Sequence, residues 1–217
     1  IENTFLETSS FKKLTSISTT TNELLFFFKK YAEIYPTLYK KTEEVEFTKF
    51  IIESIDKIID RFGEVKNDAS PLLQRLRNDI NIVQGKLNGS FGKDLARYNS
   101  LGYLDEIKES VVENRRVLAV KAMYRKKVKG SILGNSKTGS IVYIEPEATV
   151  QYNRELNNLE YDEREEVVKI LKRLTNDIRP FKPLLVQYQE FLSDIDIVAA
   201  KAKYARKLNA VLPKITD

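Results

Sequence analysis

Residues 110–144 read SVVENRRVLAVKAMYRKKVKGSILGNSKTGSIVYI, a stretch rich in Val and Ile, broken by Gly and Asn, with apolar residues alternating at period two. That spacing sets one face of a strand against a core, whereas a helix would need steps of three and four. Val117-Leu118-Ala119-Val120-Lys121-Ala122 reads as a strand, turned back on Val111-Val112 across Glu113-Asn114. Lys129 to Leu133 and Ser140 to Ile144 read as a second hairpin, joined by the turn-rich Gly134-Asn135-Ser136-Lys137-Thr138-Gly139. The same window holds eight basic residues: Arg115, Arg116, Lys121, Arg125, Lys126, Lys127, Lys129 and Lys137. Glu113 is its only acid, so the window carries +7 while the whole chain carries +5, leaving −2 for the rest. A total of +5 is mild, but its concentration in one small module is what an electrostatic footprint looks like.

On both sides of this module the period becomes helical. Leu14, Ile17, Thr21, Leu24, Phe28, Tyr31 and Tyr35 step by three and four, giving a first helix that Pro36 is expected to end. A second is expected from near Thr42, with Glu43 to Glu46 as acid at its positive end and an apolar stripe from Phe47 to Phe62. Gly63 sits where a left-handed cap would close it. Ser70-Pro71 is a strong helix start, followed by Leu73, Leu76, Ile80, Val83 and Leu87 at helical spacing, with Gly85 and Gly89 weakening the later turns. Beyond the module, helix is expected from Glu145-Pro146 to about Ile178, a length of roughly 45–50 Å at 1.5 Å per residue. Pro180 and Pro183 break it, and a last helix runs from about Leu184 to Leu208, with Tyr188, Phe191, Ile195, Val198, Ala202 and Ala205 inward. The fold class is therefore mainly α with a small antiparallel β insertion. Three parts are expected: a helical part at 1–108, the β-rich insertion at 109–145, and a second helical part at 146–217.

Composition removes whole classes of chemistry. The 217 residues are 42% hydrophobic and 31% charged, ordinary for a folded, helix-rich protein. With no Cys there is no disulfide framework and no thiolate zinc site, and with no His the commonest general base is gone. No apolar run approaches the roughly 20 residues needed to span a bilayer, so the cytoplasm is the expected location and no membrane partner is expected. The chain opens on Ile1 without a signal-peptide pattern, which reads as a piece of a longer polypeptide.

Lys and Arg at the density of the β-module neutralise backbone phosphates and release counterions, giving sequence-independent affinity for nucleic acid. The plain alternative is a sheet edge kept from aggregating by Lys. Gly134 to Ser140 is no phosphate loop, because Gly139 is followed by Ser140 and Ile141 and the segment feeds a strand, not a helix. It is a hairpin tip whose N–H groups and Lys137 can still meet a phosphate. Glu160, Asp162, Glu163, Glu165 and Glu166 crowd one helix, but Arg164, Lys169, Lys172 and Arg173 lie among them, and mixed charge of this kind is a solvated face rather than a metal site. Phe26, Phe27, Phe28, Tyr31 and Tyr35 at helical spacing read as core more readily than as base-stacking platforms.

Three longer stretches carry a resemblance. Residues 68–77 (DASPLLQRLR), 114–125 (NRRVLAVKAMYR) and 139–148 (GSIVYIEPEA) are similar to the core of the bacterial MutS paralogue family known as MutS-two. Residues 153–160 (NRELNNLE) and 195–203 (IDIVAAKAK) fit the same family in the same order, and the wording is similar to that of its Bacteroidetes branch. The resemblance implies a core of long antiparallel lever helices carrying a DNA clamp, cut from a dimeric parent with an ABC-type ATPase and a C-terminal Smr nuclease domain. Such parents are associated with branched DNA, suppression of recombination and rescue of collided ribosomes. The expected partners are thus double-stranded or branched DNA, or else the ribosome and its RNA, with a homodimer expected for the parent. No Walker A motif or Smr segment occurs by Asp217, so no catalytic residue, metal or cofactor is expected here, with ATP and Mg confined to the parent's ATPase. The eight basic residues are expected to touch phosphates rather than read bases.

Overall fold

The computed structural model describes residues 4–211, and they are mainly helical with one four-stranded antiparallel sheet. The chain divides into two units, residues 1–69 with 168–217, and residues 70–167.

The first unit is helical. Helix α1 (Thr8–Lys30) packs against α3 (Phe50–Ile58) and α6 (Lys182–Lys207), around Phe11, Ile51, Ile55, Leu174 and Tyr188, all almost fully buried. The buried line of α1 is Phe11, Ser18, Thr21, Asn22, Leu25 and Phe28, about one residue round from the expected seam, so Leu14, Ile17 and Leu24 are only half-buried. Pro36 opens a helix instead of ending one: α1 stops at Lys30, and Pro36 is the first residue of the short α2 (Pro36–Thr42). Its missing N–H is harmless at that position. The second expected helix also begins later, at Phe50, because the chain before it is held by its carbonyls. Gln187 donates to Glu44 O (2.6 Å), the Tyr188 hydroxyl to Glu46 O (2.7 Å), and the Asn22 amide to Thr48 O (2.8 Å). Gly63 does adopt positive φ (+91°), yet it serves a tight turn closing an Ile59–Val65 bridge, five residues past the helix. In that turn the Asp60 carboxylate accepts the N–H groups of Phe62, Gly63 and Glu64 at 2.9 Å each. Those bonds, Glu64's foremost, hold the carboxyl below its ordinary range.

The second unit holds α4 (Pro71–Ser100), the sheet, and the first part of α5 (Glu147–Ile178). Ser70 caps α4, its hydroxyl accepting Leu73 N–H at 3.0 Å with Pro71 next. The helix then runs 30 residues straight through Gly85, Gly89 and Gly92. Strands β1 (Leu104–Val112), β2 (Arg115–Lys121), β3 (Gly130–Asn135) and β4 (Ile141–Pro146) lie in the order β1-β2-β4-β3, and so bracket the expected insertion. Glu113 and Asn114, at φ 49° and 61°, make the two-residue turn of the first hairpin, the geometry that suits right-twisted strands. The second hairpin turns through residues 136–140, with Ser136 N–H bonded to Ile141 O at 2.9 Å. Glu145 and Pro146 close β4, so α5 starts at Glu147.

Val117, Leu118, Ala119 and Val120 are all fully buried, which requires cover on both faces of the sheet. Leu118, Val120, Val142 and Ile144 meet Phe91 and Tyr98 of α4 on one face. The start of α5 attends the other, where Asn153 reaches Glu145. At Gly130 the strands pass so closely that a Cβ would stand 2.0 Å from the Glu145 carbonyl oxygen and 2.8 Å from Ile144 Cγ2.

Candidate nucleic-acid interface

Alternation along β2 sends neighbouring side chains to opposite faces, and this splits the basic set. Arg115 turns to the α5 side, where its Nη1 donates to Glu145 Oε2 at 3.0 Å. Glu145 is buried to 1% exposure, and its other oxygen accepts the Asn153 amide at 2.6 Å. Arg116 turns to the α4 side, donating to Glu109 (2.7 Å) and Asn88 (3.0 Å) with its guanidinium 4.3 Å from the centre of the Phe91 ring. Both arginines are thus tied into the unit, though their side chains remain 37% and 40% exposed.

The other cations are exposed. Lys121 ends β2, about 20 Å along the strand from Arg115 at 3.3 Å per residue. Its Nζ lies 3.4 Å from Gly102 O, and its Cα partner across the sheet is Ile141. The next residue donates its N–H to Ser140 O at 2.9 Å, bringing the Lys137 hairpin tip to the same end of the sheet. From there residues 122–127 wind as a 3₁₀ turn (Ala122–Tyr124) and a second turn. Arg125 N–H bonds Ala122 O at 3.3 Å, and Lys127 N–H bonds Tyr124 O at 2.8 Å. Tyr124 stacks on Tyr103 (4.7 Å, 24°) and Tyr103 on buried Tyr98 (6.3 Å, 26°), so the turn stands on a column of rings. Lys127 lies back against that column, 5.7 and 5.8 Å from the two outer ring centres. Arg125 and Lys126 are left pointing into solvent. Lys129 sits apart at the start of β3, its N–H on the Tyr98 hydroxyl (3.3 Å) and its carbonyl accepting Glu147 N–H (3.2 Å).

The register therefore puts Lys121 and Lys137 toward one end of the sheet and Arg115 and Arg116 toward the other, while Arg125, Lys126 and Lys127 lie on the turn that leads from the Lys121 end to Lys129 at the start of β3. Sequence reasoning missed the Arg115–Glu145–Asn153 network. Its signal was the lone carboxylate in the apolar strand IVYIEP (141–146), since a charge in such a run needs a partner. It also placed Phe26, Phe27 and Tyr35 in the core, whereas they are 72%, 44% and 43% exposed, with the Phe27 ring against Tyr31 and Tyr35 in the first unit. In the acidic run of α5, Glu163 pairs with Arg77 at 2.7 Å and Glu166 accepts the Ser70 hydroxyl at 2.8 Å. Among the described residues no helix is long and apolar enough to cross a membrane.

The class defined is a helical protein carrying a small antiparallel sheet with a cationic turn at one end. No protein-family model matches the chain. Three curated relatives share one name, Endonuclease MutS2. The chain is 34% identical to that of Carboxydothermus hydrogenoformans over 183 residues, covering 84% of this chain and 24% of the relative. It is 32% identical to that of Symbiobacterium thermophilum, covering 74% of this chain and 20% of the relative. It is 30% identical to that of Ligilactobacillus salivarius, covering 89% and 25%. These similarities support kinship with the MutS2 family over most of the chain, which spans about a quarter of the length of the relatives it matches.

Proposed function

We propose that this chain is the core and clamp region of a MutS2-like DNA repair and recombination-control protein, gripping the phosphate backbone of DNA without reading sequence. The observation that carries the reading is a set of exposed cations, Lys121 and Lys137 toward one end of the sheet and Arg125 and Lys126 on the ring-backed turn that leaves that end. Cations carried on a preorganised backbone turn neutralise phosphates with little ordering of the main chain, so affinity follows charge and falls with salt. The long helices α4 and α5 are, on this reading, levers that couple the grip to an ATPase elsewhere in a dimeric parent. Catalysis, ATP and Mg belong to that parent and not to these residues.

The test is binding of the chain to duplex and four-way-junction DNA as salt is varied, beside a variant with Arg125, Lys126, Lys127 and Lys129 changed to Ala. Every phosphate that the variant ceases to neutralise should flatten the slope of log K against log salt by about 0.9. Arg115→Ala, taken at a temperature where circular dichroism shows it still folded, should leave the slope unchanged, since that guanidinium is held by Glu145. Equal slopes for the parent and the four-site variant would sink the grip. Competition by structured RNA stronger than by duplex DNA would move the target to the ribosome, because both ligands offer phosphates but differ in groove shape.

A further inference from the structure

Met123, the chain's single methionine, stands at the top of the cationic turn with 77% of its surface exposed. Its neighbours Ala122 and Tyr124 are half-buried against the core of the second unit, so the turn packs the residues on either side inward and holds the one between them out. The backbone beneath is pinned by three hydrogen bonds, Ala122 N–H to Ser140 O, Arg125 N–H to Ala122 O, and Lys127 N–H to Tyr124 O. The ring column of Tyr124, Tyr103 and Tyr98 prevents the turn from collapsing to bury the side chain. Lys121 lies two residues before it, Arg125 and Lys126 two and three after, all exposed.

An apolar tip ringed by cations is poorly matched to water and to a protein's acidic surface, but it matches nucleic acid, where base faces lie within a cage of phosphates. Apolar side chains, Met among them, act as wedges between base steps, and the thioether chain is thin, flexible and polarizable. We propose that Met123 inserts against an exposed base face while Lys121, Arg125 and Lys126 hold the flanking phosphates, which makes interrupted duplex the preferred ligand. An intact step must first be unstacked, whereas at a nick, gap or bulge one stacking face is already open, so insertion favours the interruption. This rests on the phosphate grip proposed above and adds to it a reason to choose one DNA structure over another.

The experiment compares the 217-residue chain with Met123→Ala, Met123→Leu and Arg125→Ala/Lys126→Ala. The probes are an intact duplex and the same duplex with a single-nucleotide gap flanked by 2-aminopurine. The parent should bind the gapped probe about tenfold more tightly than the intact one, the scale expected for burying a methionine side chain. It should also raise the 2-aminopurine fluorescence. Met123→Ala should bind the intact duplex within about twofold of the parent yet lose the preference and the fluorescence rise, and Met123→Leu should restore both. The insertion is overturned if Met123→Ala keeps the preference, or weakens both probes equally while Arg125→Ala/Lys126→Ala weakens both. If the double variant binds both probes as tightly as the parent, the grip itself is wrong and the insertion falls with it.

Discussion

Replacing Arg115 by Ala removes the more exposed half of the Arg115–Glu145 pair and should nevertheless be the more damaging change. Arg115 keeps 37% of its side-chain surface in solvent and Glu145 only 2%, so what each deletion leaves behind differs sharply. Without Arg115 the carboxylate stays buried with the Asn153 amide as its remaining side-chain partner, the situation in which a broken buried pair costs about 3–5 kcal/mol. Without the charge on Glu145, in Glu145→Gln, the guanidinium can turn to water. The new amide oxygen still accepts from Asn153, so the loss should be about 1 kcal/mol. In the double variant no charge is stranded, and its stability should return to within about 1 kcal/mol of Glu145→Gln alone. Urea unfolding of the four proteins, followed by circular dichroism, closes the cycle. A cost for Arg115→Ala no larger than for Glu145→Gln would refute the reasoning, because the carboxylate would then have access to water that the structure denies it.

At Gly130, the clash of a new Cβ with the Glu145 carbonyl and Ile144 should make Gly130→Ala destabilising by about 3 kcal/mol, the upper range for overpacking. Thermal melts should show the opposite sign for Gly85→Ala and Gly89→Ala, which meet nothing within 4 Å on α4 and should each gain about 0.5–1 kcal/mol. Burial, aided by the nearby Glu46 charge, lifts the Tyr188 phenol above its ordinary 10.0 despite an opposing backbone hydrogen bond at Thr48. A group raised on folding lends stability below its unfolded value and loses it as pH climbs through the folded one, so this contribution vanishes above about pH 10. Difference absorbance at 295 nm between the parent and Tyr188→Phe should show a phenol titrating later than exposed tyrosines. A midpoint at or below theirs would contradict the burial.

The elements legible in the sequence were those whose signals are local. Glu113-Asn114 makes a hairpin turn through its own backbone preferences, and Ser70-Pro71 starts a helix through its own hydroxyl and ring. Residues 43–49 defeated the reading because they are held by Gln187, Tyr188 and Asn22, and the first two lie more than 140 positions away. The same division runs through the candidate interface. Composition marks all eight cations, but nothing near Arg115 announces that Glu145, 30 positions on, takes it. Met123 sits in a run that reads as strand followed by charge, and only the 3₁₀ turn and its ring column reveal that it faces outward.

The first unit is assembled from the two ends of the chain, while the second is one continuous stretch. A ribosome makes polypeptide at about 5–20 residues per second, and each domain folds once its last strand or helix has emerged. Leu6 and Thr175, which share a hydrogen bond in the finished protein, are 169 positions apart, so α1 must wait roughly 10–30 s for its partner to be made. The sheet, whose hairpins close over a few residues, can be complete in that interval. Through all of it the buried line of α1, from Phe11 to Phe28, has α3 but not α6 to pack against. Production of this protein should therefore depend on what shelters the first helix during translation more than on anything in the basic turn, and slowing synthesis should aggravate that exposure rather than relieve it.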